Sequence, residues 1–497
     1  MFIKEGPGKT EPIGWIPLSE DIYLSILLLI TSASDVRCPD WDKRVESKKP
    51  HDTSAEGNTN QGIYRMPFFM NLAQLHHCFK NSSGVVSDSR DLKPDCFFIA
   101  LRGEKYDGNQ FAEKALKNGA KYALVDRPEI AEKNRQFILV KNTLETLQEL
   151  AKFHRKTLKA KIIALTGSNG KTTTKELIKS VLSQQFITQA TTGNLNNHIG
   201  VPLTLLNFEE NTEIGIVEMG ANHKKEIDFL CQIAQPEYGL ITNFGQAHLE
   251  GFGGIEGVIQ GKSELYKYLA AAQGTLFINI DDPLQEKWIT HHPHFSFGTK
   301  STADCYLEYI TEKEGAQAVE IDGKNVKSQL YGDYNSTNIA AAIALGKYFK
   351  LKHEQIANGV FSYQPKNNRS EIIQKGHYKI TMDAYNANPS SMQASISAFI
   401  KSKKKSSTAI LGDMFELGKY SASAHQKITD LMVLSDIDQI LLVGNHFIKT
   451  QFKDPRVKAF STLEGLLNYL IENPLKAGEI LIKGSRGMTL EKVLQQL

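Results

Sequence analysis

Two glycines three positions apart, a lysine directly after the second and two threonines after the lysine form Gly167-Ser168-Asn169-Gly170-Lys171-Thr172-Thr173. Each residue type suits a polyphosphate. Glycine lets the backbone turn tightly and approach a ligand with no Cβ in the way. Amide N–H groups at a helix start receive anionic oxygens, a lysine ammonium bridges the outer phosphates, and a hydroxyl reaches Mg²⁺. The flanking elements are those such a loop needs. Ile162–Leu165 is a short, apolar, β-branched run suited to a buried parallel strand. Lys171-Thr172 opens a helix with Leu177, Ile178, Val181 and Leu182 on one side. An ordinary strand-to-helix turn that happened to hold a lysine would not require this whole set. The first glycine of the usual phosphate loop is replaced by Leu165, so the motif is the shorter G-x-x-G-K-T-T, preceded by Thr166.

Other strand ends carry polar groups. Ile214–Val217 runs into Glu218, an acid placed to share Mg²⁺ with Thr172, since that ion takes oxygen ligands and one or two carboxylates. Tyr238–Thr242 leads to Asn243 and then His248; a lone histidine is usually a satisfied surface or core group, and imidazole is a soft choice for Mg²⁺. Lys262 on the next helix reads as a solvated charge unless it faces the metal. Asn335 and Asn338 offer amide donors and acceptors suited to an adenine edge, while Ser336 or Thr337 could equally cap the helix that follows. Asp88-Ser89-Arg90 suits a salt-bridged turn and a ligand contact equally. His291, His292 and His294, interrupted by Pro293, read as a surface cluster rather than a metal site. Asp383–Pro389, Gly412–Gly418 and Lys483–Gly487 each follow an expected strand and should gather at one sheet edge. No G-x-G-x-x-G occurs, so a nicotinamide cofactor is not supported.

A chain of 497 residues exceeds one core and predicts about three domains. Alternating strands and helices make them α/β: a small unit over 66–158, a central parallel-sheet unit over 159–365 and a Rossmann-like unit over 366–497. A net charge of +3, spread along the chain, does not argue for nucleic acid, and the Lys401–Ser407 run reads as a solvated loop. Five scattered cysteines without a C-x-x-C pair point to reduced thiols in a cytoplasm. Residues 1–65 read as a disordered, dispensable extension, with Met66 or Met70 as the natural start. Its apolar run Ile22–Ile30 is too short to span a bilayer, so no stable membrane insertion is expected.

Taken together, these motifs resemble the Mur ligase family over about 70–497. The segments that carry the resemblance are DAYNANPSSM at 383–392, LGDMFELG at 411–418 and KGSRGMTLE at 483–491. DSR at 88–90, ALRGEKYDGNQF at 100–111 and TGNLNNHIGVPLTLL at 192–206 add to it. They are most similar to the branch that attaches D-alanyl-D-alanine to UDP-N-acetylmuramoyl-tripeptide, the last cytoplasmic precursor step of peptidoglycan synthesis. The resemblance implies an ATP-dependent, monomeric ligase working through an acyl phosphate, with those two molecules as substrates. It implies ATP held by Thr166, Gly167, Ser168, Asn169, Gly170, Lys171, Thr172 and Thr173. Asn335 and Asn338 would face adenine, and Arg369 and Asp383 the ribose and phosphates. Mg²⁺ would sit at Thr172, Glu218 and His248, with Lys262 carbamylated as a further ligand; with Lys171, the last three form the catalytic set. Substrate contacts would fall to Ser89, Arg90, Asn194, Asn196, Asn197, Asn386, Asn388 and Arg486. Tyr334 stands where many relatives have histidine. Three other readings compete: a P-loop phosphotransferase or GTPase, a folylpolyglutamate-type ligase, and a nucleotide-binding regulator without catalysis.

Overall fold

The structure is a computed structural model that describes residues 70–289, 292–312, 315–402 and 406–497. The extension 1–65, His291 and the middle of the Lys401–Ser407 run lie outside the described residues.

Three parallel or mostly parallel sheets follow one another along the chain. The first has four parallel strands in the order Val85–Val86, Phe97–Ile99, Tyr122–Val125, Phe137–Leu139. The second has seven, all parallel: Cys305–Tyr306, His294–Gly298, Thr275–Asn279, Tyr238–Ile241, Lys161–Thr166, Ile214–Glu218 and Thr188–Ala190. The third has six, in which only the edge strand Glu371–Lys375 is antiparallel. Behind it come Tyr378–Asp383, Gly478–Lys483, Ser407–Gly412, Gln439–Val443 and Val457–Phe460. Apolar strand residues such as Ile162–Leu165 and Ile440–Val443 are buried on both faces, as helix-covered parallel sheets require.

Lys161–Thr166 is central to the second sheet, and the chain departs from it in both directions: to Ile214–Glu218 on one side and to Tyr238–Ile241 on the other. That reversal is the switch point beside which open α/β sheets bind ligands. Helix Lys171–Leu182 follows directly and buries Leu177, Ile178, Val181 and Leu182, as their spacing predicts. Helix His353–Ser362 comes very close to it: a Cβ on Gly359 would lie 2.5 Å from the Val181 Cα.

Two small sheets among the described residues depart from the expected strand-helix alternation, the smaller being the antiparallel pair Arg102–Gly103 and Tyr106–Asp107. Glu308–Thr311, Ala316–Ile321 and Lys324–Tyr331 form a three-stranded antiparallel sheet. Its last strand alternates exposed and buried residues, which is the one-faced pattern of such a sheet.

Helices Leu72–Lys80 and Thr143–Arg155 meet through two imidazoles, His76 Nε2 lying 3.0 Å from His154 Nδ1. Phe79 and Phe153 flank the pair, and His154 is 2 % exposed. Burial first, then the neighbouring charges, pushes both down to about 4; Lys80 acts on both and Glu210 opposes it at His154. The unfolded chain therefore binds more protons than the folded one between about pH 6.5 and pH 4, and folding stability falls as pH drops through that window. Urea unfolding of the intact protein and of His154→Leu at several pH values checks this: the variant's stability should depend less on pH there.

Candidate active site

The glycine loop is held from below by the end of the neighbouring strand. Asn169 N–H donates to Asn243 Oδ1 at 3.1 Å, and the Asn169 carbonyl accepts from Thr242 Oγ1 at 2.6 Å and Asn243 Nδ2 at 3.0 Å. Ser168 Oγ donates to the Gly245 carbonyl at 2.8 Å. Gly170, at φ +77°, is the N-cap of the helix, and no side chain caps it. The first-turn N–H groups at Lys171–Thr173 therefore face the cleft, where the helix dipole favours an anion. Gly167 sits at φ +143°, and a Cβ there would lie 2.0 Å from Thr242 Oγ1.

Charge is concentrated on both sides of the loop. Thr172 Oγ1 lies 3.2 and 3.0 Å from the two Glu218 oxygens, so the hydroxyl and acid expected to share Mg²⁺ are in contact. Asn196 Nδ2 donates to Glu218 Oε1 at 2.8 Å. Behind the acid, the buried Lys175 ammonium lies 4.0 Å from Glu218 and donates to the Thr191 carbonyl at 2.6 Å. Lys171 Nζ donates to the carbonyls of Gly167 and Ser168 at 2.7 and 3.3 Å. Burial lowers its pKa, Arg369 adds to that, and Glu218 opposes it.

Lys262 is 1 % exposed, its Nζ donating to the Ala221 carbonyl at 3.1 Å and lying 5.1 Å from the centroid of the Phe252 ring. Burial, with the charge of Lys171 behind it, holds this amine well below the usual lysine range, against Glu226 and Glu264. His248 takes a left-handed backbone at φ +53° and turns Nδ1 onto Glu416 of the third sheet's loop. Among the described residues no three His, Cys, Asp or Glu side chains cluster as metal ligands; Thr172 and Glu218 are a hard-oxygen pair of the kind that could hold a cation.

The opposite wall comes from the C-terminal segment. The Arg369 guanidinium stacks on Tyr385 with 3.5 Å to the ring centroid. Asp383 accepts from Lys483 Nζ at 2.6 Å and from Ser370 N–H at 3.2 Å. Tyr334 OH meets Ser370 Oγ at 2.8 Å, and burial, with Asp383 nearby, raises the phenol's pKa. Between the walls lies a cavity of about 860 Å³.

Most sequence-predicted residues line that cavity: Ser168 to Thr173, Asn194, Asn196, Asn197, Glu218, His248, Asn335, Asn338, Arg369, Asp383, Asn386 and Asn388. Ser89, Arg90, Thr166, Gly167, Lys262 and Arg486 are not among the lining residues. Thr166 is fully buried and gives its hydroxyl to the Met219 carbonyl, a bond between strand ends. Lys262 stands behind Ala221 rather than in the lining. Asp88 and Arg90 pair in an exposed turn. Arg486 is exposed and paired with Glu491 at 3.2 Å. Asn335 and Asn338 bond to each other at 2.8 Å, and Asn338 Oδ1 also accepts from Thr174, so part of each amide is used internally. Lys483, Lys175, Tyr385 and Glu416 were not singled out. Lys483 is in register with Asp383 on the adjacent strand, a signal visible only once strand order is known.

Three comparisons bear on this geometry. Family models described as Mur ligase family, catalytic domain, Mur ligase middle domain, and Mur ligase, glutamate ligase domain match residues 81–155, 165–346 and 368–486. A Bacillus subtilis protein named UDP-N-acetylmuramoyl-tripeptide--D-alanyl-D-alanine ligase is 37% identical over 427 residues, covering 83% of this chain and 93% of that protein. Among solved structures, MurF from Acinetobacter baumannii superposes with a TM-score of 0.75 at 29% identity, over 86% of this chain and 98% of that one. MurF from Thermotoga maritima in complex with ADP gives 0.73 at 27% identity, over 84% and 97%.

The fit of Gly167 against Thr242 yields a direct check. Gly167→Ala adds a side chain at a left-handed backbone and against a hydroxyl, so it should lower unfolding free energy by about 2 kcal/mol or more. Adding Thr242→Ala should recover only part of that loss, since the Thr242 N–H also lies 3.0 Å from the new Cβ. Urea denaturation of the single and double variants measures both.

Proposed function

This chain belongs to the Mur ligase family, and we propose that it joins D-alanyl-D-alanine to the terminal carboxylate of UDP-N-acetylmuramoyl-tripeptide, driven by ATP. The observation that carries the reading is the contact of Thr172 with Glu218 at the head of the glycine loop, inside a cleft walled by Arg369, Asp383 and Asn386. The names of the relatives, matched over most of their length, support the choice of substrates. ATP as nucleotide is supported by the ADP complex of a structural neighbour. A GTPase or simple phosphotransferase would not be expected to match family models along all three sheets. We place the enzyme in the cytoplasm as a monomer; no helix among the described residues is long and apolar enough to cross a membrane.

A carboxylate is a poor acylating agent. Its oxygen attacks the γ-phosphorus, ADP leaves, and an acyl phosphate forms. The dipeptide amine then attacks the acyl carbon, a tetrahedral intermediate collapses, and phosphate departs with the C–N bond made. The loop N–H groups orient the β- and γ-phosphates, and Lys171 sets a positive charge beside the oxygens that gain charge in transfer. Arg369, facing Lys171, adds a second cation. Tyr385 and Phe415 in the wall limit water around the acyl phosphate.

The residues present fit Mg²⁺. Thr172 and Glu218 supply hard oxygens from one hydroxyl and one carboxylate; the family resemblance would add His248, whose Nδ1 here faces Glu416. Bound there, the ion would neutralise charge on the phosphoryl oxygens. Lys262 fits carbamylation for a reason of its own: its enclosure favours the neutral amine, whose lone pair adds to CO₂ with loss of the N–H proton. The carbamate would be a buried oxygen anion facing Lys171.

Phosphate release should require both the UDP-linked tripeptide and D-alanyl-D-alanine; assays with meso-diaminopimelate and lysine tripeptides side by side test this and identify the preferred one. Lys171→Ala should cut release by about a hundredfold or more while the melting temperature stays near that of the parent; undiminished release overturns the scheme. A second outcome concerns Lys262: ¹³C-bicarbonate should give the protein a carbamate NMR signal that Lys262→Ala lacks.

A further inference from the structure

Asn388 carries a substrate role by resemblance, yet both ends of its amide are engaged inside the protein. Its Nδ2 donates to Asn169 Oδ1 at 2.7 Å; Asn169 Nδ2 donates to Ser390 Oγ at 3.0 Å; and Ser390 Oγ donates back to Asn388 Oδ1 at 2.9 Å. The three side chains close a ring in which every link is a normal hydrogen bond. Two members belong to the C-terminal segment at the start of helix Pro389–Ser402, and the third is the middle residue of the phosphate loop. The ring is also tied to the central sheet's loop, because Gln246 N–H donates to Ser390 Oγ at 3.1 Å. Gly245 makes room for it: a Cβ there would lie 2.6 Å from both Asn169 Nδ2 and Ser390 Oγ.

The backbone of Asn169 is meanwhile fixed by Thr242 and Asn243. Its main chain therefore belongs to the nucleotide loop and its side chain to the C-terminal domain. From this geometry we infer that Asn169 and Asn388 are positioning residues that couple the two: the ring seats the C-terminal domain on the phosphate loop and thereby aims Asp383 and Asn386, on the same segment, into the cleft. Each bond in such a ring polarises the next, so the members act as a unit. This couples to the proposed ligation because catalysis needs both walls in place; the ring itself does not depend on that reading.

The test uses the full chain and the variants Asn169→Ala, Asn388→Ala, the double variant and Asn169→Asp, which keeps size and the acceptor but loses the donor. Hydrogen exchange is followed with and without ADP. In the parent, ADP should reduce deuterium uptake at 386–391; in each variant that protection should be lost while strand 162–166 stays protected, which shows the fold intact. In ATP-dependent phosphate release, each single variant should lower kcat about tenfold with KM for ATP changed less than about threefold, and the double variant should be no worse than either single one. Protection at 386–391 that persists in Asn169→Ala, uptake that is equal in parent and variants, or single losses that multiply in the double variant would each overturn the inference. The exchange arm needs only ADP, so it decides the coupling even if the ligation assay with these substrates fails.

Discussion

A carboxylate at the end of an apolar strand is the constraint around which this site is arranged. Glu218 is 2 % exposed, and a buried charge is tolerated only when other groups meet it. Thr172 meets it from the nucleotide helix, Asn196 from the loop of residues 192–199, Thr191 at its backbone N–H, and the Lys175 ammonium from beneath. Three separate parts of the chain are thus pinned to one strand tip. Removing the acid would leave the Asn196 amide and the Thr172 hydroxyl short of a partner together, while Lys175 would keep Glu176 and the Thr191 carbonyl. The same cluster keeps the Thr172 hydroxyl at the place where a phosphate-bound cation would need it.

The sheet order explains why those parts arrive there. Strand 161–166 lies between its neighbours 214–218 and 238–241, and all three run the same way, so their carboxyl ends open side by side. One neighbour contributes the acid. The other contributes Thr242 and Asn243, which hold the glycine loop by its backbone, and beyond them His248. The glycine loop needs this support because its conformation, with two left-handed glycines, has few internal bonds of its own.

How much was visible in the sequence follows from the range of each interaction. The phosphate loop, its strand and its helix lie within some twenty residues, and periodicity and glycine placement report them directly. Strand tips such as Glu218 and Asp383 could be read because an apolar run ends in a polar residue. The short antiparallel sheet was missed, although Lys324–Tyr331 alternates, because the strand-helix alternation of the central unit was carried through it. What stayed hidden is long in sequence and short in space: Lys483 beside Asp383, Glu416 on His248, and Asn388 on Asn169. Each partner, taken alone, is an unremarkable polar residue at a strand end or in a loop. Family resemblance raised several of them to site residues; it assigned Asn388 to a ligand, and it could not show that both ends of this amide also bond within the protein.

Where the phosphate loop meets the C-terminal segment the contact is made of such polar partners, beside an apolar stretch in which Leu249 and Phe252 share a buried cluster with Met414 and Leu417, and the polar part has an energetic meaning of its own. Breaking a hydrogen bond between neutral groups at an accessible seam returns both to water, so the net difference is about 1 kcal/mol per bond. An apolar seam of the same extent would resist opening in proportion to its buried area, roughly 25 cal/mol for each Å². A ring of two amides and a hydroxyl is therefore directional enough to fix one docked geometry and weak enough to be undone between turnovers. A cleft between two walls has to admit and release what it binds, so the contact has to combine register with reversibility. Polar side chains on the phosphate loop itself meet both needs, and they place the point of release where the nucleotide sits.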